Sequence, residues 1–366
     1  MLEGPMEMQD VQGKNARDLY GDFLRVILMM MIVLQHSIVH GLGVVKLRDG
    51  IYVDISGGVL ALNSFAVVSV NCFFWISGFY KIQYNNRKLL KIILEVLFYV
   101  VVINLVLLVV SGTDYSTLGI VGLLKRSIGF LGNYWFMDVY FVLYVLSNYL
   151  NRLIEHLGWN EALKLIVLLF AINTLYGFLR DWGGIGTGYS VVQGIYLYLI
   201  GRICSVYLRK VRELVPYRTV FLLAYVLSCT VTAVLTVIFY NMTYSSLAWK
   251  MWAYNNPLVV IGSVSLCLFV TGRKSKEKGL IAYVATWAPF TLAIYLISDY
   301  YALRNYVFWP MNSILSRING NQCLTITLLL ANAVCISFVC MAIDRLRSIL
   351  FTGTIRFMEK GKFNNV

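Results

Sequence analysis

Apolar residues fill this chain in long uninterrupted blocks, and the polar positions fall between them. Residues 89–110, 220–240, 280–297 and 324–343 are almost continuously apolar. A helix needs about 20 such residues to cross the hydrocarbon core of a bilayer. Strand spans would instead show short blocks of alternating polarity. The pattern predicts an all-α fold, a polytopic transmembrane helix bundle of about ten spans. They fall near residues 23–42, 64–82, 89–110, 134–151, 161–179, 190–208, 218–240, 257–272, 280–298 and 321–343. Pro289 lies inside the ninth span and predicts a kink there, because it removes a backbone hydrogen bond.

The polar intervals set the expected orientation. Basic residues gather in alternate intervals, at Arg87, Lys88 and Lys91, at Arg209, Lys210 and Arg212, and around residues 273–278. By the positive-inside rule those intervals are cytoplasmic, and so are both termini. The expected organisation is a cytoplasmic tail over 1–22, a membrane domain over 23–343 and a cytoplasmic tail over 344–366. Residues 1–21 are polar and mixed in charge, so the first apolar run is expected to stay as a helix and not to be cleaved as a signal peptide.

Composition agrees. Hydrophobic residues make up 59% of the 366 positions and charged residues 13%, about half the charged share of a soluble domain. The formal charge of +13 follows the membrane intervals, so no nucleic-acid partner is expected. The seven cysteines are scattered and lack CxxC or His/Cys spacing. They predict neither a disulfide framework nor a metal site.

Candidate chemistry concentrates in the first span, DFLRVILMMMIVLQHSIVHG, residues 22–41. His36 follows Arg25 by eleven residues, close to three helical turns and roughly 16 Å of axial rise. Arg25, His36 and His40 therefore share a face. Ionisable groups at membrane depth are costly and usually mark a functional pathway. The alternative is that Arg25 snorkels to phosphates and the histidines hold helices together. A coenzyme A molecule has phosphates at one end and a thioester at the other, joined by an arm of similar length. Arginine suits the phosphates, and histidine suits general-base work near neutral pH.

Further motifs carry a family resemblance. The R-x10-H run, NCFFWISGFY (71–80), NNRKLLK (85–91), YWFMDVYFVLYVLSNYLN (134–151) and LAIYLISDYYALRNYVF (292–308) together resemble the integral-membrane acyltransferase 3 family, in order and over most of the chain. HSIVHG with ISDYYALR is most similar to members that O-acetylate bacterial capsules and exopolysaccharides. The chain departs from the family in two places. The inner turn carries lysines where RxxR is common, and Ser298 stands where relatives often have histidine.

The resemblance implies an acetyl-CoA-dependent O-acyltransferase of the bacterial inner (plasma) membrane. It would move an acetyl or other acyl group to a sugar hydroxyl of a surface polysaccharide or its lipid-linked precursor. Acetyl-CoA would be the acyl donor, and no permanently bound cofactor is implied. His36 would be the catalytic base or acyl relay. Arg25, Arg87, Lys88 and Lys91 would bind coenzyme A. His40, Ser77, Asp138 and Asp299 are candidates for the substrate site. Asp138 would orient His36 or hold acceptor hydroxyls, and Asp299 would line an outer site with Arg304. Glu95 is expected to pair with Arg25 or the basic turn, or to face a cavity. DWGGIGTGYS (181–190) reads as a flexible outer loop. The rival reading is a transporter or flippase of polysaccharide intermediates, which buried charges along a path would also suit.

Overall fold

The computed structural model describes residues 18–111, 134–180, 185–271, 279–301, 303–304, 307–308, Ile314 and 321–363. The segments 112–133, 181–184 and 272–278, which hold parts of three connecting intervals, lie outside the described residues. Among the described residues there are helices and no strands. The long helices are α1 (Leu19–Gly41), α2 (Gly57–Phe79), α3 (Asn86–Ser111), α4 (Trp135–His156) and α5 (Trp159–Arg180). They continue with α6 (Val191–Val206), α7 (Leu208–Leu214), α8 (Arg218–Asn241), α9 (Ser245–Lys250), α10 (Pro257–Val270), α11 (Leu280–Ser298) and α12 (Gln322–Phe363).

Every apolar block read from the sequence is helical. Among the described residues, seven helices are long and apolar enough to cross a membrane: α1, α2, α3, α5, α8, α11 and α12. Helices α6 and α7 meet at a bend of 84° and make an eighth if counted as one span. Helix α10 has only 14 residues, and α4 carries Asp138, Arg152 and Glu155. The chain is a multi-pass membrane protein. Pro289 acts as its missing N–H dictates. Helix α11 is broken by a 3-10 turn at Ala288–Phe290 before it resumes.

Helices α1, α2 and α6 lie in the interior, and 11 of the 16 residues of α6 are buried. The apolar stretch of α2 is 78% buried and that of α1 61%, whereas those of α5, α8 and α12 are 22–28% buried. Helix α2 packs along α6, α8 and α10, and α1 packs against α2, α11 and α12. The outer helices present bare leucine and valine, such as Leu105, Val109, Leu223 and Leu227. That is the surface a lipid-facing helix needs.

Helices in lipid gain nothing from hiding apolar surface from one another, so close approach matters more. The crossing of α2 and α6 shows this. A Cβ on Gly78 would lie 1.9 Å from the Tyr198 carbonyl oxygen, and one on Gly201 would lie 2.1 Å from that of Trp75. The neighbours are backbone and cannot swing aside. Gly78→Ala is therefore expected to force the helices apart at a cost of about 1–3 kcal/mol or more. Thermal unfolding of purified protein, followed by tryptophan fluorescence, should show a lower Tm.

Helix α1 begins with a built cap. The Asp18 carboxylate accepts from the backbone N–H groups of Tyr20 (3.0 Å) and Gly21 (3.1 Å), satisfying donors that lack a helical partner. Its side chain also accepts from Tyr80 Oη on the turn after α2. That contact registers the start of α1 against the end of α2. At its far end α1 widens into a π-helical turn over Ser37–Gly41. Such turns are rare and concentrate at functional sites.

Candidate active site

The site has two ends, both laid out along α1. Its first is set by Arg25, whose side chain is 32% exposed. The guanidinium meets Asp22 at 2.6 Å, one turn back on the same helix, and lies 5.2 Å from the ring centre of Tyr80. Arg87, Lys88 and Lys91 stand exposed on the first turns of α3, one short loop beyond Tyr80. An open surface hollow of about 440 Å³ is lined there by Tyr84, Asn85, Asn86 and Arg87. Lys81 and Arg202 both reach Glu155, at 2.7 Å and 2.8 Å. The Lys81 hydrogen bond leads the effects that hold the Glu155 carboxyl below the usual carboxylate range. This end of the bundle is thus rich in cations.

The ion-pair partner of Glu95 is neither Arg25 nor a residue of the basic turn, although Lys91 is within electrostatic reach. Glu95 pairs with Arg347 of α12 at 2.9 Å. Arg347 also binds Asp344 at 2.6 Å, and Asp344 accepts from Tyr99 Oη at 2.7 Å. The cluster ties α3 to α12. Ser77 donates to the Phe73 carbonyl in its own helix at 2.8 Å, and the Gly78 beside it serves the helix crossing.

At the other end, the last α-helical residue of α1 is His36. Its Nδ1 faces Asp299 Oδ1 at 3.7 Å. That is ion-pair reach but longer than a hydrogen bond. Asp299 is buried and is the C-cap residue of α11. Arg304 closes the group: its Nη2 lies 2.8 Å from the same Asp299 oxygen and donates to the Asp299 carbonyl at 3.0 Å. Its Nη1 lies 3.3 Å from His40 Nε2. The His36 and His40 rings meet edge to face, 5.6 Å between centres, and Phe308 covers His36 from 6.4 Å. The π turn lets both imidazoles meet one loop, because it repositions the residues that follow His36 relative to a continued α-helix.

The structure thus brings His36, His40 and Asp299 together, with Arg304 beside Asp299 as expected. It places Asp138 in the first turn of α4, and the carboxylate beside His36 is Asp299. Arg25 and His36 stay on one face, since α1 is unbroken between them. Met29 and Ile32 fill that face between them and are buried, so it is closed along its middle.

Sequence reasoning passed over a second feature at this end. A cavity of about 240 Å³ opens beside α1, with Gln35, Val39 and Asn63 on one wall and Tyr189, Trp249 and Trp252 on another. The described part of the glycine loop contributes Gly186 and Thr187. Residues 181–184 of the loop lie outside the described residues, and the part that follows contacts the Tyr254 turn. Thr187 accepts from the Tyr254 backbone N–H at 3.0 Å. Gly188 holds a φ of +76°, with no room for a Cβ against Asn255 and Tyr254. The buried amides of Asn71, Gln193 and Asn173 bond one another behind it. Buried amides and tryptophans far apart in sequence, each with no motif, gave the only available signal.

Compared with known proteins, residues 18–343 match a family described as "Acyltransferase domain". No curated protein and no solved structure matches the chain.

Proposed function

The chain belongs to the acyltransferase 3 family, and from that premise we propose that it moves an acetyl group from acetyl-CoA to a sugar hydroxyl of a surface polysaccharide or its lipid-linked precursor. The observation that carries this reading is the His36–Asp299–Arg304–His40 group at one end of α1, with the cationic end around Arg25 on the same helix face. The basic intervals favour placing the Arg25 end and both termini in the cytoplasm, as in a bacterial inner membrane. On that orientation residues 23–343 work within the bilayer, flanked by cytoplasmic tails.

The chemistry follows from the groups present. His36 takes the proton of the acceptor hydroxyl as its oxygen attacks the thioester carbonyl. The carbon–sulfur bond breaks as the tetrahedral intermediate collapses, and the coenzyme leaves as thiolate and collects a proton. Asp299, on the Nδ1 side, orients the ring and favours the imidazolium that forms. Its 3.7 Å separation suits a resting site, because such contacts tighten when substrate binds. Arg304 anchors the Asp299 carboxylate, and His40 packs against both. Arg25 holds donor phosphate, with Arg87, Lys88 and Lys91 drawing the polyanion to that end. The buried Met29 and Ile32 imply that the face between donor and acceptor ends opens during transfer.

Arg25→Ala tests the donor role. Asp22 already neutralises part of the arginine charge, so one phosphate contact is lost and not the whole site. Initial rates in proteoliposomes, read as free thiol released from acetyl-CoA, should show KM for acetyl-CoA raised about tenfold or more, with kcat less changed. An unchanged KM would remove Arg25 from the donor site.

A further inference from the structure

We propose that the cavity beside α1 is the acceptor subsite, and that it selects a saccharide carrying an anionic group. The inference rests on the acyl-transfer reading and gives that reaction its substrate class. The anion would be either the carboxylate of a sugar acid or the phosphate of a lipid diphosphate linkage.

Position comes first. Gln35 and Val39 line the cavity, and each precedes one of the two histidines on α1. A sugar held there lies around the edge of the helix from His36. Arg48, on the cavity rim, is also within electrostatic reach of His40.

The lining gives the chemistry. Asn63 is fully buried, yet neither its Oδ1 nor its Nδ2 has a hydrogen-bond partner. The Gln35 Oε1 is likewise buried and unpartnered, while its Nε2 reaches Tyr254 Oη at 3.5 Å. Unmade hydrogen bonds of this kind are costly in a closed apolar site. In a polar cavity they mark places that water or ligand hydroxyls fill. These atoms are closed off from the cavity as it stands, so a sugar hydroxyl reaches them once the amides turn toward it, whereas an acyl chain offers them no partner in any orientation.

The aromatic wall fits a sugar face. Trp249 and Trp252 meet edge to face at 6.0 Å. The Trp252 indole is fixed because its Nε1 donates to Ser64 Oγ at 2.9 Å. Tyr189 packs on Trp135 at 4.5 Å and on Tyr254 at 4.8 Å. At about 240 Å³ the cavity is below the usual range of about 300–1,000 Å³ for small-molecule pockets. It holds one ring and leaves the rest of a glycan outside.

The charge is one-sided. Among the described residues, Arg48 and Lys250 line the cavity and no acidic residue does. Arg48 pairs with Asp49 at 3.2 Å, but both side chains are more than half exposed. Such a pair is weak and exchanges readily for a ligand anion. Lys250 is held over the Phe178 ring at 5.2 Å, half-buried and facing the same space.

The test uses the full chain in nanodiscs and measures binding without acetyl-CoA. The probes are a neutral glucose tetrasaccharide, a tetrasaccharide containing glucuronic acid, and the neutral tetrasaccharide on a polyprenyl diphosphate. At least one anionic probe should bind about tenfold tighter than the neutral one. The one preferred identifies carboxylate or diphosphate as the source of charge. Arg48→Gln combined with Lys250→Gln, both near the surface and outside the packed core, should erase that preference. Trp249→Ala should weaken all three probes. Equal binding of all probes, or a preference that survives the double substitution, overturns the proposal. Parallel acetyl-transfer assays separate the two readings. Charge-selective binding without transfer would remove the acyltransferase reading and keep the subsite. Transfer that none of these substitutions alters would remove the subsite and keep the enzyme.

Discussion

Replacing His36 with alanine should reduce acyl transfer by about 10²–10⁴-fold, the usual worth of a positioned general base, and leave the protein folded. The stability half of this expectation comes from the partners of His36. Its Nδ1 makes no hydrogen bond, and Asp299 sits 3.7 Å away. Removing the ring therefore strands no donor or acceptor, since Asp299 keeps Arg304 at 2.8 Å. The packing lost is one face against Phe308 and His40. His36→Gln sharpens the test, because glutamine keeps a polar group of similar reach but cannot accept a proton near neutral pH. Both variants should fall to the same low kcat, measured as acetylated product per enzyme, with Tm close to wild type. An active His36→Gln enzyme would assign the base elsewhere.

The second large effect is expected at Asp299. Asp299→Asn should lower kcat about 10²-fold or more with little change in KM for acetyl-CoA. The amide keeps the size of the side chain and one oxygen for Arg304. It loses the negative charge that stabilises the imidazolium as His36 takes the proton. Arg304 retains the Asp299 main-chain carbonyl at 3.0 Å, so the loop stays anchored. The kcat–KM split separates this role from a structural one, because a loosened bundle would shift both constants and Tm together. A variant with wild-type kcat would reduce Asp299 to a helix-end ion pair.

The fold was legible in the sequence because a membrane helix is announced by its own residues. Length and apolarity are local properties, and so is the break at Pro289. The face shared by Arg25 and His36 was legible for the same reason, since helical period alone fixes it. What the pattern hid was partnership across long separations. Glu95 and Arg347 are 252 positions apart, and nothing local distinguishes Arg347 from Arg25 as a partner. Asp22 was overlooked beside Arg25 although it stands one turn away, because a first-turn carboxylate also reads as an N-terminal helix charge.

The group around His36 was half visible. The turn ISDYYALR drew attention to Asp299 and Arg304 as an outer site, but Asp138 was the carboxylate expected to orient the ring. Only the packing of α11 against α1 decides between them. The π turn at Ser37–Gly41 has no sequence signature, and it sets how His40 meets Arg304. The tryptophans of the cavity, Trp249 and Trp252, belong to no sequence motif. Their convergence on Asn63 and Gln35 exists only in three dimensions.

The most direct measurement follows a labelled acetyl group. Wild-type protein and His36→Ala would be reconstituted in liposomes with acetyl-CoA carrying an isotopic label in the acetyl carbonyl, and surface polysaccharide extract would be supplied as acceptor. Label is expected in base-labile esters on sugar hydroxyls, with one free thiol released per ester, and neither with His36→Ala. Label remaining on coenzyme A while intact glycolipid crosses the bilayer would contradict acyl transfer and leave a transporter.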